Sequence, residues 1–343
     1  MPTWIFDGPL LPGGEHGSVA AGSGPLERLP GAFALPGLVD AHCHLTVAAD
    51  EAGPYLADAA LAAQRLRECA DAGVTVVRDV GGRSSITLTL AGELVDGRPR
   101  LLAAGRFLAP AGRYFPRMHE PVATERLLAA AEAELDRGAA WLKLIADFPT
   151  LDADGRPQAP VSPTYPADAV EAVIALAHRR GARVAAHATS ELAADLVHLG
   201  VDSVEHGTRL AFEDVQQLGQ RGGAWTPTLC ASVGVGPDRD DSGARRSAAI
   251  REVLPTAVDA GVTVLAGTDV VGSLPAEVAL LVEHGLSVEQ ALAAASTAAR
   301  SYLGLADEPT ESTDLVTYDA DPREDPAVLR SPAAVVIRGT RVR

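Results

Sequence analysis

The stretch Leu35-Pro-Gly-Leu-Val-Asp-Ala-His-Cys-His-Leu45 decides how the rest of the chain is read. Pro36-Gly37 punctuates the chain, and the apolar run behind it has strand length and ends in two histidines two positions apart. Alternate side chains of a strand face the same way, so His42 and His44 address one point while Cys43 turns to the other side. A doubly wound nucleotide-binding sheet would want a Gly-rich phosphate loop after its first strand; Ala41-His-Cys-His44 stands there instead.

Outward from this stretch, short apolar, β-branched runs alternate with longer Ala/Leu/Glu-rich segments of helical spacing. The predicted strands are 37–41, 74–79, 101–104, 141–145, 183–186, 203–205, 224–228 and 262–266, with helices at 57–72, 123–137, 167–180, 191–199, 212–220 and 248–260. Gly73, Gly138, Gly181, Gly200 and Gly261 each follow a helix and precede a strand, where a left-handed cap favours glycine. Eight such units predict an α/β protein, a closed (β/α)8 TIM barrel over residues 35–311. The ends, 1–34 and 312–343, carry short β pieces, among them Leu315-Val-Thr-Tyr318 and Ala334-Val-Val-Ile337. Neither end makes a stable sheet alone, so the two are expected to combine into a small β-sandwich domain beside the barrel.

With 343 residues and 47% hydrophobic content, the chain is long enough for a barrel and an accessory domain. A formal charge of -16 argues against nucleic acid and anionic membrane surfaces as partners and points to a small-molecule substrate. Cys43, Cys69 and Cys230 form no disulfide framework, the N-terminus does not read as a secretory leader, and no apolar run is long enough to span a bilayer. A cytoplasmic protein is expected, with a homo-oligomer left open.

A barrel presents its reactive groups at the C-terminal ends of its strands. There stand His42 and His44 (strand one), Lys143 (four), His187 (five), His206 (six) and Asp269 (after eight). A single histidine would be read as a core or surface residue; four at strand ends are a different matter. The other five, His16, His119, His178, His198 and His284, fall in loops or helices, with only His119 held open as a site residue. Asp269 could cap the helix that follows, but a carboxylate behind Val-Leu-Ala-Gly-Thr268 more often faces the site. Imidazoles and a carboxylate suit zinc, manganese, iron or nickel, with zinc the default. Taken by itself, Lys143 would be read as reaching to solvent or pairing with Asp147, because an ammonium is repelled by a metal site.

These residues lie in Pro36-Gly-Leu-Val-Asp-Ala-His42-Cys-His44, Ala139-Ala-Trp-Leu-Lys143-Leu, Arg183-Val-Ala-Ala-His187-Ala, Asp202-Ser-Val-Glu-His206-Gly-Thr and Leu265-Ala-Gly-Thr-Asp269. Together with Val76-Val-Arg-Asp-Val-Gly-Gly82, Thr226-Pro-Thr228 and Asp314-Leu-Val-Thr-Tyr-Asp-Ala-Asp-Pro322, they resemble the amidohydrolase superfamily over essentially the whole chain. The closer resemblance is to its imidazolonepropionase-like branch, which includes prolidase-type Xaa-Pro and Xaa-Arg dipeptidases. The resemblance implies two divalent metals bridged by a lysine carboxylated on its side-chain nitrogen, and Lys143 is the matching position. His42, His44 and Asp269 would hold the buried ion and His187 and His206 the more open one, with Asp269 as the catalytic acid and base beside a bridging hydroxide.

Two departures qualify the resemblance. Imidazolonepropionases and related deaminases carry Glu three residues after the strand-five histidine; here it is Ser190, which counts against deamination. The loop after strand three, Arg106 to His119, lacks the Gly/His-rich stretch of the better-known dipeptidases. With Phe107, Tyr114 and Phe115 it reads either as a substrate wall or as a loop packed on its own barrel, and Arg113 and Arg117 as a carboxylate clamp or as solvated arginines. Tyr165 matches a position where relatives place a substrate-contacting tyrosine, and Asp79, Gly81 and Gly82 belong to the expected pocket floor. The expected activity is hydrolysis of an amide- or peptide-like C–N bond. Lactone or cyclic-amide opening, deamination or decarboxylation, and a catalytically silent scaffold are the alternatives, in that order.

Overall fold

The computed structural model describes residues 2–234, 241–306 and 313–343. Its centre is an α/β arrangement of parallel strands, for which we keep the ordinals used above. Strands one (Leu38–Cys43), two (Val74–Asp79) and three (Arg100–Ala103) pair side by side. Phe107–Leu108, which continues strand three beyond Gly105, opens a six-stranded parallel sheet. It runs on through strands four (Trp141–Ile145), five (Arg183–Ala188), six (Ser203–His206), seven (Ala224–Thr226) and eight (Thr263–Val264).

Backbone bonds carry the pairing of strands two and three past their ends at one margin and tie strand one to the chain after strand eight at the other. Ala104 N–H donates to Asp79 O at 2.9 Å and Gly82 N–H to Gly105 O at 2.9 Å; on the other side Ala41 N–H reaches Ala266 O at 2.9 Å and Asp269 N–H reaches His42 O at 2.7 Å. Strand eight can approach strand one this closely because residue 267 is glycine: a Cβ there would lie 2.5 Å from His42 Cβ.

All eight predicted strands recur within two residues at each end, and the differences are informative. Strand seven stops at Thr226, not 228, because Pro227 has no N–H to give and Thr228 turns left-handed at φ 45. Strand eight shortens from 262–266 to Thr263–Val264. The helix expected at 248–260 runs Asp241–Ala257, and the one expected at 123–137 begins with a 3-10 turn, Thr124–Arg126, before Leu127–Asp136. Gly73, Gly138, Gly181, Gly200 and Gly261 all have positive φ, as the caps require. The helix Ser84–Gly92 escapes a periodicity reading, since Ser-Ser-Ile-Thr-Leu-Thr-Leu carries little helical spacing.

Both chain ends enter one seven-stranded sheet. Its order is Glu15–Ala21, Thr3–Leu10, Phe33–Leu35, Leu315–Tyr318, Ala334–Ile337 and Thr340–Arg341, with Leu26–Arg28 alongside Thr3–Leu10. The N-terminal end supplies strands of eight and seven residues and the C-terminal end two of four, and the antiparallel pair Thr317↔Ala34 stitches the two ends together. The expected domain limit at 312 lies outside the described residues. Among the described residues no helix is long and apolar enough to cross a membrane, and the three cysteines are unbridged.

Candidate metal centre

Strands one, five and six and the turn after strand eight deliver the histidines and Asp269 to one place. Imidazole centroids lie 5.2 Å apart for His42–His44, 5.1 Å for His42–His206 and 4.5 Å for His187–His206. Ligand atoms of His42, His206 and Asp269 fall within 4.8 Å of one another. Strand register sets this convergence: Lys143 pairs with Ala185, Ile145 with His187, and Ala188 with His206.

Each strand-one ring has its second nitrogen tied down. Glu205 is ionised and accepts only, so His42 Nδ1–H donates to its Oε2 at 2.6 Å; His44 Nδ1–H donates to Gly81 O at 2.7 Å. His206 is held likewise. Thr228 gives its hydroxyl hydrogen to Pro227 O at 2.8 Å and therefore accepts from His206 Nδ1–H at 2.7 Å. All three rings thus turn a bare Nε2 toward the common centre, the arrangement a metal-binding imidazole needs. His42 Nε2 is buried and has no hydrogen-bond partner, as has Lys143 Nζ. His44 Nε2 faces Asp269 Oδ1 at 3.3 Å, two acceptors that need a proton or a cation between them.

The electrostatics agree with this geometry. Burial, reinforced by the charge of Lys143, lowers His42 from 6.5 to about 4, and burial lowers His187 to about 4 and His206 well below the usual range. Near neutrality these rings are uncharged and their lone pairs available. Burial also lowers Lys143 from 10.5 to about 8, although Glu205 and Asp269 oppose it. Burial pushes Asp269 upward, but the bond a protonated His44 gives it and the charges that His42, His44 and His206 carry when protonated outweigh it and hold the carboxyl well below its ordinary value. Three oriented imidazoles, one of them with an unpartnered buried Nε2, and an ionised carboxylate make a donor set that fits divalent metal.

Backbone conformation is unusual where the donors sit. Of four non-glycine residues with positive φ among the described residues, His206 (φ 67) and Asp269 (φ 55) are candidate ligands and Thr228 (φ 45) holds His206. A β-branched residue in this region is costly, and such strain collects at functional sites.

Sequence reasoning missed the scaffold behind the ligands. Arg78 and Glu205 are fully buried and paired, Arg78 Nη2 donating to Glu205 Oε1 at 2.9 Å, with Ser203 Oγ donating to the same oxygen at 2.6 Å. The Arg78 guanidinium lies over Trp141, 4.5 Å from the ring centre. Burial raises Glu205, yet Arg78 and His42 together keep it well below the usual carboxylate range. The signal was present: an arginine inside Val74-Thr-Val-Val-Arg-Asp79 cannot sit in a buried strand without an acidic partner. Asp40 is a second such residue, accepting from His42 N–H at 3.3 Å and Thr268 Oγ1 at 2.6 Å and so pinning strand one to the turn that carries Asp269.

The loop after strand three packs on itself. Phe107, Tyr114, Met118, Phe148 and neighbours form a separate apolar cluster, with Phe107 5.3 Å from the His44 ring and Tyr114 6.4 Å from His187. Arg113 donates to Phe148 O and Ser162 O at 2.7 Å each, and Arg117 forms a two-pronged pair with Asp50 at 2.7 and 2.8 Å. His119 sets its nitrogens against Phe115 O and Pro110 O, and Tyr165 gives its hydroxyl hydrogen to Val122 O at 2.7 Å. Asp79 accepts from Leu45 N–H at 2.7 Å and Gly81 N–H at 3.1 Å, fixing the turn whose carbonyl holds His44.

The ligands open on a cavity of about 450 Å³ bordered by His187, His206 and Asp269 on one side and by Thr208, Arg209, Arg245 and Arg246 on others. Arg113, Tyr114, His119 and Tyr165 are not among its lining residues. At Ser190, where a glutamate was expected of deaminases, the side chain donates to Asp147 Oδ2 at 2.6 Å. That buried carboxylate stands 3.9 Å from His187 Nε2.

Comparisons with known proteins bear on this geometry. The amidohydrolase family profile matches residues 33–342. An uncharacterized protein of Mycobacterium tuberculosis is 35% identical over 98% of this chain and 90% of its own length. Among solved structures, a Xaa-Pro dipeptidase with methionine bound in its active site superposes with a TM-score of 0.80 at 23% identity, covering 99% of both chains. A prolidase complexed with N-methylphosphonate-L-proline superposes with a TM-score of 0.78 at 23% identity, again covering 99% of both. At this identity the two structures speak for the fold alone.

Proposed function

The chain belongs to the amidohydrolase family, hydrolases of carbon–nitrogen bonds, and we propose that it cleaves an amide- or peptide-like bond of a small molecule at a centre for two divalent metals. The observation that carries this reading is the orphaned His42 Nε2 and Lys143 Nζ, both buried and both beside an ionised Asp269. His42, His44 and Asp269 would hold one ion, His187 and His206 the other, and Lys143, carboxylated on Nζ, would bridge them. A lysine lowered to about 8 keeps part of its amine unprotonated near neutrality, as reaction with carbon dioxide requires. Bound there, zinc, or manganese, iron or nickel, supplies Lewis acidity and an acidified water.

The protein's own contribution is placement and proton transfer. Asp269 is fixed by its N–H to His42 O, touches His44 and borders the cavity, so it stands between the ligand cluster and a substrate. Its low pKa leaves it ionised and able to accept the proton of the attacking water, then return it to the leaving amine. The hydrogen bonds of Glu205, Gly81 and Thr228 hold three rings in place, so little reorganisation accompanies the reaction.

The same reading includes a closed (β/α)8 barrel at 35–311 with the composite end domain, supported by the backbone bonds from Ala41 to Ala266 and from Asp269 to His42. It also includes a cytoplasmic setting. The test is a screen of dipeptides, N-acyl amino acids and lactones against zinc- or manganese-loaded protein. Turnover of C–N substrates is expected; turnover of lactones alone would overturn the assignment.

A further inference from the structure

Three arginines border the cavity that the metal ligands face: Arg209, just after strand six, and Arg245 and Arg246 on the helix Asp241–Ala257. Arg246 is a strut, its Nε donating to Ser232 O and its Nη1 to Ser242 Oγ at 3.1 Å. Arg209 and Arg245 are exposed, and neither forms a hydrogen bond or ion pair with another described residue. Arg209 also borders a neighbouring hollow with Glu191 and Glu252, yet pairs with neither. Among the described residues that line the cavity Asp269 is the only carboxylate, and it stands with the metal ligands.

Two free guanidiniums on separate elements beside one cavity repel each other unless an anion lies between them. The chain as a whole carries -16, so its long-range field turns anions away, and these arginines must act at short range on a ligand already at the mouth. A single carboxylate, which any peptide fragment carries, would answer one forked guanidinium. The second calls for another.

Resting on the hydrolase reading, we propose that this cavity takes a dicarboxylate and that the substrate is an N-acyl or N-aminoacyl derivative of an acidic amino acid. Arg209 and Arg245 would grip its two carboxylates. Hydrolysis adds the elements of water across the C–N bond: hydroxyl to the acyl carbon and hydrogen to the nitrogen, releasing a carboxylic acid and a free dicarboxylic amino acid. Thr208 and Ser232 supply further polar groups to the same wall.

The test separates this proposal from the reading beneath it, because binding is measured without turnover. Calorimetry on metal-loaded protein with L-glutamate and with L-glutamine should show glutamate binding about tenfold tighter. In an Arg209→Gln/Arg245→Gln variant the ratio should fall to within about twofold. Each protein serves as its own control for folding, since both ligands are measured on the same sample. Binding of glutamate no tighter than glutamine, or undetectable, overturns the proposal, as does an unchanged ratio in the variant. Hydrolysis of Ala-Glu and Ala-Gln is followed in parallel. Glutamate preference without amide turnover would sink the hydrolase and leave the anion site; turnover without preference would do the reverse.

Discussion

Behind His42 the structure is closed and tightly hydrogen-bonded, whereas beyond His187 and His206 it opens onto a cavity edged with Thr, Ser and Arg. On the closed side His42 is 0% exposed, its Nδ1 fixed by Glu205, and Glu205 is gripped by Arg78 and Ser203. On the open side His187 is partly exposed with no hydrogen bond to its ring among the described residues, and Arg209 and Arg245 at the same cavity are unpaired there too. One side uses its hydrogen bonds to hold the His42 ring in place; the other leaves groups free for something that arrives. Asp269 belongs to both, bonded through its backbone to His42 and bordering the cavity with its side chain.

That double membership predicts the largest effect. Asp269→Ala should lower kcat/KM by about 10²- to 10⁴-fold, the range of a lost proton-transfer group, while metal content is largely kept. An activity loss matched by an equal loss of metal would make Asp269 a ligand without a proton-transfer role. A smaller effect separates the two walls. Glu205→Gln leaves His42 without its charged partner and should weaken metal affinity about 10- to 100-fold by competitive chelation, whereas Thr208→Val on the open wall should leave it within about twofold. Equal responses would erase the distinction between them.

The smallest effect concerns what supports the open wall. Glu277 is buried and accepts from Leu229 N–H at 2.7 Å and Cys230 N–H at 2.9 Å, holding the turn that carries Thr228. Burial lifts it from 4.5 to about 7, so the folded chain keeps a proton there that the unfolded chain releases above 4.5. Its contribution to stability is whole below 4.5 and is lost as pH rises through about 7. Glu277→Gln, which does not titrate, should therefore gain on the wild type by a few degrees in Tm between about pH 5 and about pH 7. A difference that stays constant over that span would place Glu277 at its ordinary pKa.

Much of the closed side was legible in the sequence because it is written locally. His42 and His44 are two residues apart on one strand, and Gly267 and Asp269 share one short motif. Arg78 and Glu205 were not read as a pair, since 127 positions separate them and only the packing of one sheet against the other brings them together. The open side was harder. Arg113 and Arg117 stood out as a carboxylate clamp because sequence displays charge but not the carbonyls of Phe148 and Ser162, or Asp50, that engage them. Arg209 and Arg245 had no such prominence, being ordinary surface residues until the fold sets them beside His187 and His206. The left-handed turns at His206, Thr228 and Asp269 were equally hidden, because none of the three is a glycine.

The central claim is that six side chains from five parts of the fold form one dinuclear centre. Metal analysis of protein purified after growth with zinc or manganese tests it most directly. Two ions per chain are expected; fewer than one per chain would contradict it.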